Sequence, residues 1–114
     1  MRYYDEIAEI ERDGFTIIVD KTWEDISPDD LFEAEDVGEI KRKIDNGTYD
    51  WFMMRVRVMI EGYELGSHYL GGMCYENAKD VMTDGTAEDC IHEALKEAKA
   101  EKVRLAKMLE ALPA

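Results

Sequence analysis

Residues Trp51 to Ile60 alternate in character. Phe52, Met54, Val56, Val58 and Ile60 are apolar, and the positions between them include Arg55 and Arg57. Period two predicts a strand with one buried and one wetter face. Glu61-Gly62 then predicts a tight hairpin. Pairing about that turn sets Ile60 opposite Tyr63, Val58 opposite Leu65, Val56 opposite Ser67 and Met54 opposite Tyr69. Gly66 and Gly71-Gly72 mark bends or close backbone approach, after which Met73-Cys74-Tyr75 continues the strand.

The N-terminal third carries two further signals. Tyr3, Ile7 and Ile10 are spaced for a short helix over residues 3–12 that ends at Gly14. A strand turning at Asp13-Gly14 competes with it. Phe15 to Val19 is β-rich and predicts a strand with Phe15, Ile17 and Val19 on one face. Residues 20–36 follow as an acidic connection. Within it, Ser27-Pro28-Asp29-Asp30 has the order of a helix start: a serine cap, a first-turn proline and acids near the positive end of the dipole. Leu31 and Phe32 anchor that short helix. Val37, Ile40 and Ile44 predict a second one, stopped by Asn46-Gly47.

At the other end, residues 76–85 form a polar link with a short amphipathic piece at Ala78, Val81 and Met82. Thr86-x-x-Asp89 resembles a capping box and opens a helix of about 25 residues, ~38 Å long. Ile91, Leu95, Ala98, Lys102, Leu105, Leu109 and Leu112 repeat at 4-3 spacing along it. Lys102 interrupts the stripe, and a sheet of short strands does not reach its last two turns. Leu105, Met108, Leu109 and Leu112 are therefore expected to overhang and meet a second subunit in a homodimer. Together these elements predict one α+β domain over residues 1–114. Its antiparallel β-sheet of three or four strands carries the long C-terminal helix on one face and short acidic helices at an edge.

Charge changes the picture. Between Asp20 and Glu39 there are nine carboxylates and one cation, Lys21, in a chain whose net charge is -13. Residues 1–50 hold sixteen acids and six bases, so nearly all of the excess sits in the first half. A solvated acidic face is the plain explanation of such a run. A surface for a basic partner is the sharper one. With 46% apolar residues the chain can still build a core, which separates it from disordered acidic tails. The same charge argues against direct nucleic-acid binding and against anionic membranes. No apolar run approaches the ~20 residues that span a bilayer. The opening MRYYDEIAEIERDG lacks the apolar stretch of a signal peptide, so a cytoplasmic setting is expected.

Catalytic and metal chemistry find little support. His68, His92, Cys74 and Cys90 are the candidate zinc ligands. They have neither CxxC nor HxxxH spacing, and Cys90 and His92 would point apart on a helix. Neither metal nor cofactor is expected, and both thiols are expected to be free. No Gly-x-Ser-x-Gly or phosphate loop occurs, and a non-enzymatic role is expected. Trp23 lies among the acids. It either packs under the Pro28 helix or stands exposed as an interface anchor.

The segments Trp51-Phe52, Arg55-Val56, Gly62-x-Glu64-Leu65-Gly66, Tyr69-Leu70-Gly71-Gly72 and Cys74-Tyr75-Glu76, with Glu88-Asp89 and Glu93-Ala94-Leu95 after them, resemble small accessory proteins of phages and other mobile elements. In size and charge the chain is similar to acidic anti-CRISPR and anti-restriction proteins. It departs from the extreme DNA mimics in confining its acids to one half and in its mildly basic helix end. That resemblance implies a DNA mimic that blocks the basic nucleic-acid-binding groove of a host defence protein. Trp23, Glu24, Asp25, Asp29, Asp30, Glu33, Glu35, Asp36 and Glu39 are the residues expected to make that contact. A structural or assembly role through the apolar C-terminal stripe is the alternative.

Overall fold

The computed structural model describes residues 2–113. The alternation in residues 51–60 becomes a central strand, with Phe52, Met54, Val56 and Val58 buried and the intervening side chains half-exposed. Four strands run β1 (Asp5–Arg12), β2 (Phe15–Trp23), β3 (Asp50–Ile60) and β4 (Tyr63–Tyr75). They form one antiparallel sheet in sequence order. Helix α1 (Ala34–Asp45) lies between β2 and β3, and α2 (Thr86–Glu110) follows β4. Single 3-10 turns cover Pro28–Asp30 and Ala78–Met82. Both hairpins turn on an acid–glycine pair with positive φ at each residue, Asp13-Gly14 and Glu61-Gly62, the conformation that matches the twist of the flanking strands.

One face of the sheet packs against α2. Phe15, Ile17 and Val19 of β2 join the even positions of β3. Ala87, Cys90, Ile91, Ala94, Leu95 and Ala98 of α2 close over them. Small residues dominate this helix face, so helix and sheet approach closely. The β1–β2 turn is fastened to the helix from outside: Arg12 donates to Glu88 at 2.5 and 3.2 Å, and Lys99 to Asp13 at 2.8 Å.

Four sequence expectations need correction. First, residues 5–12 are a strand, not a helix. A bulge between Glu6 and Ala8 breaks period two and brings Ile7, Ala8 and Ile10 toward the core. Ile7 and Ile10, three residues apart, thereby both pack against the core, which is the spacing of a helical face. Second, the β3–β4 register slips by one residue beyond the turn. Ile60 does pair with Tyr63, but Val58 pairs with Gly66, Val56 with His68 and Met54 with Leu70. The extra residue is Leu65. The slip places Gly66 beneath α2, where a Cβ would stand 2.4 Å from the Ala94 carbonyl oxygen and 2.8 Å from the Ala98 nitrogen. Only glycine at that site lets the helix settle. A second irregularity at Gly71-Gly72 restores the phase and buries Met73.

Third, Asp20 to Trp23 belong to β2 and not to an acidic connection. Fourth, Thr86 does not cap α2. Gly85 occupies the cap position, and the Asp84 carboxylate accepts from the Thr86 N–H at 2.9 Å. Asp84 also accepts from the Tyr75 hydroxyl, which ties the helix start to the end of β4.

Beyond Ala98 the helix leaves the sheet. Leu105 is half-buried, while Met108, Leu109 and Leu112 are 52, 68 and 64% exposed, the last of them just past the helix end. Tyr3–Ile10 does not cover them, because that segment leads into β1. The overhang contributes to an elongated molecule of 64 × 27 × 24 Å. Among the described residues no helix is long and apolar enough to cross a membrane.

Candidate acidic interface

The acids of residues 20–39 divide into those the fold uses and those it leaves to solvent. Asp20 belongs to the first group. It is 3% exposed on the sheet face away from α2. Arg55, directly cross-strand on β3, donates to both its carboxylate oxygens at 2.9 and 2.7 Å, and Arg57 approaches at 3.4 Å. The Tyr4 ring lies over the Arg55 guanidinium, 3.5 Å from ring centroid to Cζ. Asp20 is therefore a structural ion-pair centre.

Glu24 is also committed. Its carboxylate accepts from the Gly72 N–H at 2.7 Å and from the Ile26 N–H at 3.1 Å, pinning the loop after β2 to the bend in β4. A Cβ on Gly71 would meet Glu24 Oε2 at 2.6 Å, so a side chain there would push this carboxylate from its place. Asp25 pairs with Arg2, Asp29 with Lys41, and Glu39 with Lys43 at 3.6 Å. The Lys41 ammonium bonded to Asp29 holds that carboxyl below the usual aspartate range.

Asp30, Glu33, Glu35 and Asp36 remain. All four are exposed, and none makes an ion pair among the described residues. Asp30 ends the first 3-10 turn, and Glu35 and Asp36 lie in the first turn of α1. Glu33 is the N-cap of α1, yet its side chain makes no capping bond. A capping role therefore does not consume its charge. The four project from the loop and helix that lie beyond the end of the sheet. That placement is held by Trp51, whose indole N–H donates to the Ile26 carbonyl at 3.0 Å and whose ring meets Phe32 at 5.8 Å.

Trp51 thus packs beneath the loop carrying the Pro28 turn. Trp23, for which the sequence left that place and an exposed one open, stands at the end of β2 and is 48% exposed. The sequence signal that separates them is the neighbourhood of each ring. Trp51 opens the β3 alternation, whereas Trp23 is followed at once by Glu24 and Asp25.

Cys74 and Cys90 are unpaired, and burial pushes both thiols above the ordinary cysteine value. Cys90 is buried and His92, two residues on, is exposed, so they face opposite ways. Among the described residues no group of three or more His, Cys, Asp or Glu side chains is placed to hold a metal ion. No protein-family model, curated protein or solved structure matches the chain.

Proposed function

We propose that this chain is a non-enzymatic interaction protein. It binds a basic, nucleic-acid-binding protein through the acidic end built by the Pro28 turn and α1. The carrying observation is the uncompensated group Asp30, Glu33, Glu35 and Asp36, exposed together after the fold has taken its own share of the run. Lysines and arginines that line a nucleic-acid groove each neutralise a phosphate, and a fixed set of carboxylates competes for the same cations. Blocking such a groove in a host defence protein is the role that the resemblance to mobile-element accessory proteins suggests. The uncompensated set is narrower than the whole run: Asp20 and Glu24 hold the fold, and Asp25, Asp29 and Glu39 are paired with cations of the same chain.

Capture on immobilised protein, followed by elution with duplex DNA, tests this role. Wild type should retain a basic protein that duplex DNA displaces. The variant Asp30→Asn/Glu33→Gln/Glu35→Gln/Asp36→Asn should not retain it. Equal retention by both, or retention indifferent to DNA, would remove the proposal.

A second reading has its own observation, the exposed Met108, Leu109 and Leu112 beyond the sheet. Exposed apolar side chains gathered on one helix end favour self-assembly, with the acids serving solubility.

A further inference from the structure

Arg2 and Trp23 make a contact that generic charge does not explain. The Arg2 guanidinium lies over the Trp23 ring with Cζ 4.8 Å from its centroid. Its Nη1 donates to the Trp23 carbonyl at 2.8 Å, and its Nη2 meets the Asp25 carboxylate. The Trp23 indole N–H in turn donates to Asp25 Oδ1 at 3.0 Å, which fixes the carboxylate so that Oδ2 faces the guanidinium. One planar cation thus finds an aromatic face, a carbonyl acceptor and an oriented carboxylate, all within three consecutive residues. These are the features that recognise arginine in preference to lysine: a flat cation stacks, and its fixed fork reaches two acceptors at once.

The site is open as well as complete. Trp23 is 48% exposed, and the Asp25 side chain 65%. Arg2 lies in irregular chain before β1, whose pairing with β2 begins at Asp5 opposite Lys21. Its side chain can leave without breaking a strand contact.

We propose that Trp23 and Asp25 form an arginine clamp, occupied in this structure by the chain's own Arg2, that receives an arginine side chain of the basic partner when Arg2 is displaced. This inference rests on the acidic-end reading and names the side chain that end selects. Arg2 then acts as a tethered competitor. Its effective concentration, in the millimolar range for a short connection, weakens a competing arginine until multivalent contact overcomes it.

The test uses hexa-arginine and hexa-lysine peptides as probes, with affinities measured calorimetrically for wild type, Arg2→Ala, Asp25→Asn and the double variant. Arg2→Ala should bind hexa-arginine about tenfold more tightly than wild type. It should bind hexa-lysine only slightly more tightly, as expected from losing one positive charge. Asp25→Asn in the Arg2→Ala background should abolish the arginine-selective gain. An equal gain for both peptides, or none for hexa-arginine, would overturn the clamp. Salt-sensitive peptide binding that is lost in the Asp30/Glu33/Glu35/Asp36 variant would then still leave the acidic end standing.

Discussion

Gly66 lies under Ala94 with no room for a side chain: a Cβ on Gly66 would sit 2.4 Å from the Ala94 carbonyl oxygen. The obstacle is helix backbone, which cannot swing aside as a flexible side chain can. Gly66→Ala should therefore force α2 away from β4 and cost about 3 kcal/mol, the upper range for overpacking a core. For a domain of this size that lowers the melting temperature by roughly 10 °C. Thermal unfolding followed by circular dichroism measures it, and a change of less than about 1 kcal/mol would show that the helix yields easily.

Asp20 gives a second mutational prediction. Asp20→Asn removes the charge that holds Arg55 and Arg57, and the Arg57 Nε is already buried without a partner. Breaking a buried pair costs ~3–5 kcal/mol, and the lower end applies because both arginines keep some access to water. Denaturant titration should show a loss of about 3 kcal/mol. A neutral result would place Asp20 back among the dispensable acids.

Much of this was legible in the sequence, and the failures share a cause. The β3 alternation as far as Val58 and the 4-3 stripe of α2 as far as Ala98 are local periodicities, and folding buries both; Ile60 at the turn and Leu109 and Leu112 past the sheet stay exposed. The phase of β4 is not local. Leu65 and Gly66 suit either register until the helix backbone arrives and admits only glycine. Asp20 looks like its acidic neighbours until β3 brings Arg55 across from it, 35 residues away in sequence. A hint was present: two arginines on the wet face of β3 require an acceptor, and the adjacent strand offers one acid in its interior. At the candidate interface, the density of acids was legible, but not which of them the fold neutralises, because Arg2, Lys41 and Lys43 are paired only by tertiary or helical geometry.

The ties between the β1–β2 turn and α2 give the acid limb of stability a predictable sign. Bonding from Arg12 lowers the Glu88 carboxyl below its ordinary value, and bonding from Lys99 lowers that of Asp13. A carboxyl depressed in the folded state adds stability that is fully present above its unfolded pKa. That stability is lost as pH falls through the folded value. Glu88→Gln should therefore melt below wild type at neutral pH. The gap should narrow below about pH 4.5 and close in stronger acid. A gap that widened on acidification would contradict the assignment.

The exposed end of α2 separates the two functional readings. If Leu105, Leu109 and Leu112 meet a second copy, sedimentation equilibrium should find a dimer at tens of micromolar, as an order of magnitude. Leu105→Glu/Leu109→Glu should turn it into a folded monomer. Burial at ~1.5–3 kcal/mol per side chain is enough to favour such a contact before association entropy is subtracted. A wild-type monomer under these conditions would leave the overhang as solvent-exposed helix and remove the assembly reading.

The acidic end is tested most directly by the affinity of the DNA-displaced partner for wild type and for the Asp30→Asn/Glu33→Gln/Glu35→Gln/Asp36→Asn variant, followed as salt rises. Between about 0.1 and 1 M the Debye length contracts from ~10 to ~3 Å. Wild type should lose at least about tenfold in affinity over that range. The variant, with an unchanged circular dichroism spectrum, should start about tenfold weaker and respond little to salt, since four carboxylates no longer face the partner's cations. Equal affinities for the two proteins, or wild-type binding indifferent to salt, would contradict an acidic end built to meet a basic groove.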